Sequence, residues 1–120
     1  MAGLMRITER RVGDVTILEL EGRMILEEGD IPLRNHVNQL LEQGHVKILL
    51  DMRKVTRLDS AGIGMLVSKY LSAHRRGGRL KLMHLTIRGG HLINITKLSS
   101  VFEIFESEDE AIRSFAPEPV

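Results

Sequence analysis

The chain has 120 residues, the length of a single domain, and a domain of that size buries enough surface to hold together without staples. With 42% hydrophobic and 28% charged residues it is neither a disordered tail nor a collagen, and no apolar run approaches the roughly 20 residues of a membrane span. Seventeen Lys+Arg against sixteen Asp+Glu leave a net charge of +1, which argues against a nucleic-acid partner, and zero cysteines exclude a disulfide framework, a thiolate zinc site and a cysteine nucleophile.

Two segments rich in β-branched and apolar residues open the chain, Leu4–Arg11 and Val15–Glu21. Gly13-Asp14 between them reads as a tight hairpin turn. Gly22 is expected to end the second strand, with Arg23–Gly29 as a loop. Asp30 is placed to cap a helix with Pro32 in its first turn, and Leu33, Val37, Leu40 and Leu41 fall on one face of it. Gly44 is positioned to stop that helix.

Val46–Asp51, apolar except for Lys47, reads as a strand buried on both faces, followed by a loop over Met52–Leu58. A second helix is expected over Ser60–Arg76, with Ile63, Leu66, Val67, Tyr70, Leu71 and His74 as its buried stripe. Gly77-Gly78 ends it, and Arg79–His84 resumes as a strand. Gly89-Gly90 opens a short helix through about Lys97, Val101–Phe105 is another strand, and Ser107–Phe115 is a last helix. Ser107 and Glu110 have the spacing of a capping box for it. The order ββαβαβαβα implies an α/β fold with βαβ units on a mixed, mostly parallel sheet. It forms one domain over 1–120, with a core of about 5–115 and a loose tail at 116–120.

Asp59-Ser60-Ala61-Gly62-Ile63-Gly64 is the most informative stretch. A hydroxyl and two glycines in the first turn of a helix describe a place where free N–H groups and the helix dipole favour negative charge. An equally simple reading makes Asp59 or Ser60 an N-cap. Gly62 and Gly64 tip the balance, because each costs a helix up to about 1 kcal/mol relative to alanine and so suggests close approach by another group. Stronger chemistries fail on the same residues. A serine-hydrolase elbow needs glycine where Leu58 stands, a dinucleotide fingerprint needs glycine where Val67 stands, and no Gly-Lys-Ser/Thr exists. The Ser60 hydroxyl therefore has no activating base at motif spacing and reads as a substrate rather than a nucleophile.

The five histidines (His36, His45, His74, His84 and His91) lack the spacing of a metal site, so no metal or other cofactor is expected. Arg75, Arg76 and Arg79 read as partners of a helix C-terminus. Met65 falls outside the expected stripe, and Met24-Ile25-Leu26 lie in the expected loop. With Ser60 they would sketch an adaptable partner-binding patch if loop and helix end are adjacent.

These residues resemble a known family. Leu50-Asp51 closing a strand, then Leu58-Asp59-Ser60-Ala61-Gly62-Ile63-Gly64-Met65-Leu66, Gly77-Gly78-x-Leu80, Ile95-Thr96-Lys97-Leu98, Val101-Phe102 and Ser107–Ala111 are similar to the STAS domain, specifically to stand-alone anti-sigma factor antagonists of bacterial partner-switching systems. The resemblance runs from about Met5 to Phe115. It implies a sheet with helices packed on it and a binding protein without enzymatic activity. It also implies phosphorylation on Ser60 by a serine kinase that is itself the anti-sigma factor, and a serine phosphatase for reset. Asp59, Ala61, Gly62, Gly64, Met65, Met24 and Ile25 become the expected partner-binding residues. The start Met1–Arg6 lacks the apolar stretch of a signal peptide, so the cytoplasm is the expected compartment, with no direct membrane insertion. One departure stands out. Many members carry Gly-x-Leu-Asp after the second strand, where this chain has Gly22-Arg23-Met24-Ile25 without the aspartate. STAS domains also serve as subunits or scaffolds of membrane transport and signalling complexes, which is the alternative role.

Overall fold

The computed structural model describes residues 5–26, 30–85 and 98–116. The two opening segments pair as an antiparallel hairpin, β1 (Arg6–Val12) and β2 (Val15–Met24), with Val12 opposite Val15 across the Gly13-Asp14 turn. Helix α1 (Asp30–Glu42) then returns to β3 (Lys47–Leu58), and α2 (Ser60–Arg75) leads to β4 (Arg79–Met83). A two-residue β5 (Ile104–Phe105) and helix α3 (Glu108–Ser114) complete the described fold. The sheet order is β1-β2-β3-β4-β5, with every neighbouring pair after the hairpin parallel. The expected helix from Gly89 to Lys97 and the tail beyond Ala116 lie outside the described residues.

Strand alternation sorts the core into two layers. Leu18, Leu20, Ile48, Leu50, Met52, Leu80 and Leu82 point to one face, where α1 and α2 cover them. Leu33, Val37, Leu40 and Leu41 are the residues α1 contributes, as its periodicity requires. Val15, Ile17, Leu49 and Met83 point to the other face, against Ala111 and Phe115 of α3. Helix α1 ends with Gly44 at φ +87, where the Gly44 and His45 amides donate to Leu41 and Leu40. The Gly77 and Gly78 amides close α2 in the same way, onto His74 and Ala73.

Three boundaries differ from the sequence reading. β2 passes through Gly22 to Met24, and β3 continues from Asp51 to Leu58 as strand, not loop. β4 pairs only with residues 47–51 of β3, so the second half of β3 has β2 as its described strand neighbour. Its polar residues Arg53, Lys54, Thr56 and Arg57 are accordingly exposed, and two register shifts in the β2–β3 ladder absorb the irregularity. The strand expected over Val101–Phe105 shrinks to its last two residues. Phe102 instead closes a turn on the Leu98 carbonyl and sits in the core.

Arg10 on β1 ties α3 to the sheet. Its guanidinium donates to Glu19 at 3.0 Å and makes a bidentate pair with Glu108, the first residue of α3. The hydrogen bond from Arg10 holds the Glu108 carboxyl below the usual glutamate range against the opposing effect of burial. The unfolded chain therefore takes up a proton more readily than the folded one. The contribution of this pair is complete above pH 4.5 and fades as pH falls through the lower folded value. Arg10→Ala should be less stable than the parent at neutral pH, with the difference narrowing below pH 4.5. Urea unfolding of both proteins across pH 3–7 measures it, and a constant difference would show that Glu108 does not contribute to the acid limb.

Candidate functional site

The end of β2 and the start of α2 meet at the carboxyl edge of the sheet. Met24 pairs with Leu58 across the ladder, so the residues following each strand emerge side by side. Asp59 joins them. Its carboxylate accepts from the Gly62 amide at 2.9 Å, capping α2, and with its other oxygen from the Leu26 amide at 3.0 Å. The Asp59 amide donates to the Met24 carbonyl at 3.4 Å. Burial pushes the Asp59 carboxyl up, but hydrogen bonds from Gly62, Leu26 and Ala61 outweigh it and hold the group below the usual carboxylate range. Asp59 is thus an ionised clamp that fixes the loop after β2 to the head of α2.

Ser60, the first residue of α2, is exposed, and its hydroxyl has no hydrogen-bond partner among the described residues. Both oxygens of the adjacent carboxylate are already committed to backbone amides, so Asp59 is not poised as its base. Among the described residues the arrangement offers a free hydroxyl at a positive helix end, next to a fixed negative charge, with no base within hydrogen-bond reach.

The two glycines have different reasons. A Cβ on Gly62 would lie 2.2 Å from the Met24 carbonyl oxygen and 2.9 Å from Leu58 Cδ1, so Gly62 lets α2 press against the end of β2. A Cβ on Gly64 would meet nothing within 4 Å, and the residue is exposed one turn beyond Ser60. The close-approach argument from sequence therefore has an internal cause at Gly62 and none inside the described fold at Gly64.

The methionines correct the expected patch. Met65 is buried at 3% exposure and Met24 at 0%, and both belong to the core under α1 and α2. The buried face of α2 is Gly62, Met65, Leu66, Lys69 and Ala73, so of the expected stripe Leu66 is buried, Ile63, Val67 and Tyr70 pack half-buried at its side, and Leu71 and His74 face out. Leu71 is 45% exposed and His74 lies on the surface with its ring 4.6 Å from Tyr70. With Gly62, Met65 and Ala73 beside the expected stripe, the apolar and small residues of α2 span a wide arc interrupted by Gly64, Ser68 and Lys69, so periodicity alone does not fix its buried centre. The contact of Gly62 with Met24 does. Ala61 and Ile25 are half-buried at the site, and Leu26, 62% exposed, is its prominent apolar side chain. Of the apolar loop residues Met24-Ile25-Leu26 expected in the patch, Leu26 is the one left exposed, with its amide held by Asp59.

Among the described residues no three His, Asp or Glu side chains gather as metal ligands, and no described helix is long and apolar enough to cross a membrane. Of the arginines at the end of α2, Arg76 donates to the Leu41 carbonyl and so caps the neighbouring α1.

Comparison with known proteins places this geometry. The model of the STAS domain matches residues 6–111. The anti-sigma-B factor antagonist of Bacillus subtilis is 30% identical over 81 residues, covering 68% of this chain and 73% of that protein. A candidate anti-sigma factor antagonist of Thermotoga maritima superposes with a TM-score of 0.76 at 24% identity, covering 91% of this chain and 93% of the other. The phosphorylated form of the Bacillus cell fate determinant SpoIIAA superposes with a TM-score of 0.68 at 17% identity, over 92% of this chain and all of that one.

Proposed function

This chain belongs to the STAS domain family, and from that premise we propose that it is an anti-sigma factor antagonist switched by phosphorylation of Ser60. In its unmodified form it binds an anti-sigma factor that is also a serine kinase, and the sigma factor is freed. Transfer of the ATP γ-phosphoryl group to the Ser60 oxygen ends the complex, and a serine phosphatase restores the hydroxyl. The chain itself supplies a binding surface and a phosphate acceptor, not catalysis.

The observation that carries this reading is the exposed Ser60 hydroxyl at the head of α2, beside a carboxylate occupied by the Gly62 and Leu26 amides. The antagonist relative in Bacillus subtilis supports the partner class, and the phosphorylated SpoIIAA structure supports phosphate as a modification that this fold accepts. Leu26 gives the partner an apolar contact beside the hydroxyl, in the loop where the aspartate common in the family is missing. The partner of this chain accordingly has an apolar wall there.

Phosphosite mapping of the protein isolated with its partners from the cells that make it tests the reading. A fraction phosphorylated on Ser60, and an unphosphorylated fraction bound to a serine-kinase-type anti-sigma factor, are the expected results. An unmodified chain recovered with a membrane transporter would assign it to the alternative role of the family.

A further inference from the structure

The edge of the sheet opposite Ser60 holds a second constellation. Lys47 and Arg79 are register partners at the starts of β3 and β4, and Lys81 follows two residues later on the face covered by α3. With Gly77, Gly78, Glu103, Ser114 and Phe115 they line a cleft of about 450 Å³. Lys81 is the exceptional member, because only 7% of its side chain is exposed. Its ammonium donates to the Ser114 carbonyl and hydroxyl, each at 3.0 Å, and lies 4.7 Å from the centroid of the Phe115 ring. A lysine held at so many points is a fixed charge, with little conformational entropy left to lose when it binds.

What neutralises the cleft is loosely held. Lys81 pairs at 2.8 Å with Glu103, whose side chain is 65% exposed, and Lys47 pairs at 2.7 Å with Asp14, which is 73% exposed. The Arg79 guanidinium has one described bond, to the neighbouring Gly78 carbonyl. Three cations thus face two carboxylates that can swing into water without disturbing the core. The Glu103 carboxylate already occupies the position of an oxyanion on a buried ammonium.

We propose that this cleft is a binding site for a phosphate-class oxyanion, which displaces Glu103 from Lys81 and takes charge-assisted hydrogen bonds from Lys81 and Arg79. The site is independent of Ser60 and does not rest on the antagonist reading.

Titration of the whole chain with inorganic phosphate at constant ionic strength, followed by the amide NMR shifts of Gly77, Gly78, Arg79 and Ser114, tests it. Saturable shifts are expected, weakened at least tenfold in Lys81→Met and at least threefold in Arg79→Ala. Because Glu103 competes for the same ammonium, Glu103→Gln should bind phosphate at least threefold more tightly. A parallel titration with O-phosphoserine separates two sources of the anion. Tighter binding than inorganic phosphate assigns the cleft to a phosphorylated side chain, and equal or weaker binding assigns it to the free ion. Shifts that stay linear with phosphate, or Glu103→Gln binding no more tightly than the parent, overturn the proposal. If Lys81→Met does not fold, the exposed Arg79→Ala carries the same comparison.

Discussion

Gly62→Ala is expected to lower the unfolding free energy by about 3 kcal/mol, the upper end of what overpacking a rigid site costs. The added carbon would sit 2.2 Å from the Met24 carbonyl oxygen, and a backbone atom cannot rotate aside as a side chain can. Either α2 lifts from the end of β2 or β2 bends. Both would stretch the hydrogen bonds from the Asp59 amide to Met24 and from the Leu26 amide to Asp59. Gly64→Ala should move in the opposite direction, gaining up to about 1 kcal/mol, because its Cβ would enter open space and alanine is the better helix former. Thermal or urea melts of the two variants beside the parent decide the matter. Equal gains at both positions would mean that helix propensity, not contact with Met24, governs this turn. The binding arm separates the glycines further. If a partner passes close to α2, Gly64→Gln retains its stability but loses affinity for the anti-sigma kinase.

The same turn shows how much the sequence carries. The β-branched, apolar run of β2 and the 3.6-residue stripe of α1 each point to one solution, and both elements form, with Leu33, Val37, Leu40 and Leu41 all buried. The element order and parallel sheet follow from the spacing of such segments. The motif from Asp59 to Gly64 is equally legible, because a cap residue and helix glycines are local features. The orientation of α2 is not, since a helix whose apolar and small residues span a wide arc has no unique inner face. Met65 looked like a surface residue for that reason, whereas Met24 did so because Gly22 was expected to end β2 before it; a substitution such as Met65→Lys bears on the core. Lys69 adds to the ambiguity. A lysine reads as solvent-facing, yet this one is buried and donates to the Asn38 side chain at 2.6 Å. The extension of β3 was hidden by its composition, because a strand segment with one described neighbour can carry Arg53, Lys54 and Arg57 on its surface.

Phosphorylation of Ser60 is expected to end partner binding, and Ser60→Asp to weaken it, while both leave the fold intact. The phosphoryl group adds about −1.5 to −2 charges at pH 7 and three acceptor oxygens. Within the chain that charge falls at the positive end of α2, on an exposed residue, where water and the helix dipole accommodate it. The Asp59 carboxylate opposes it, but the Gly62 and Leu26 amides stabilise that carboxylate and water screens the pair. In the proposed complex the partner supplies no such compensation. A surface fitted to a neutral hydroxyl and to the apolar Leu26 would have to strip water from a dianion that it cannot pair, at a cost of several kcal/mol. Ser60→Asp carries one charge instead of nearly two and should weaken binding at least tenfold, about 1.4 kcal/mol. Ser60→Ala should bind like the unmodified parent and resist inactivation by kinase and ATP. Calorimetric titration of both variants with the anti-sigma kinase, beside thermal melts of each, measures the two halves of the argument separately. A Ser60→Asp variant that melts with the parent and binds as tightly would remove Ser60 from the interface. One that melts far below the parent would instead show that the head of α2 does not tolerate the charge, making the switch a local unfolding rather than a barrier at the contact.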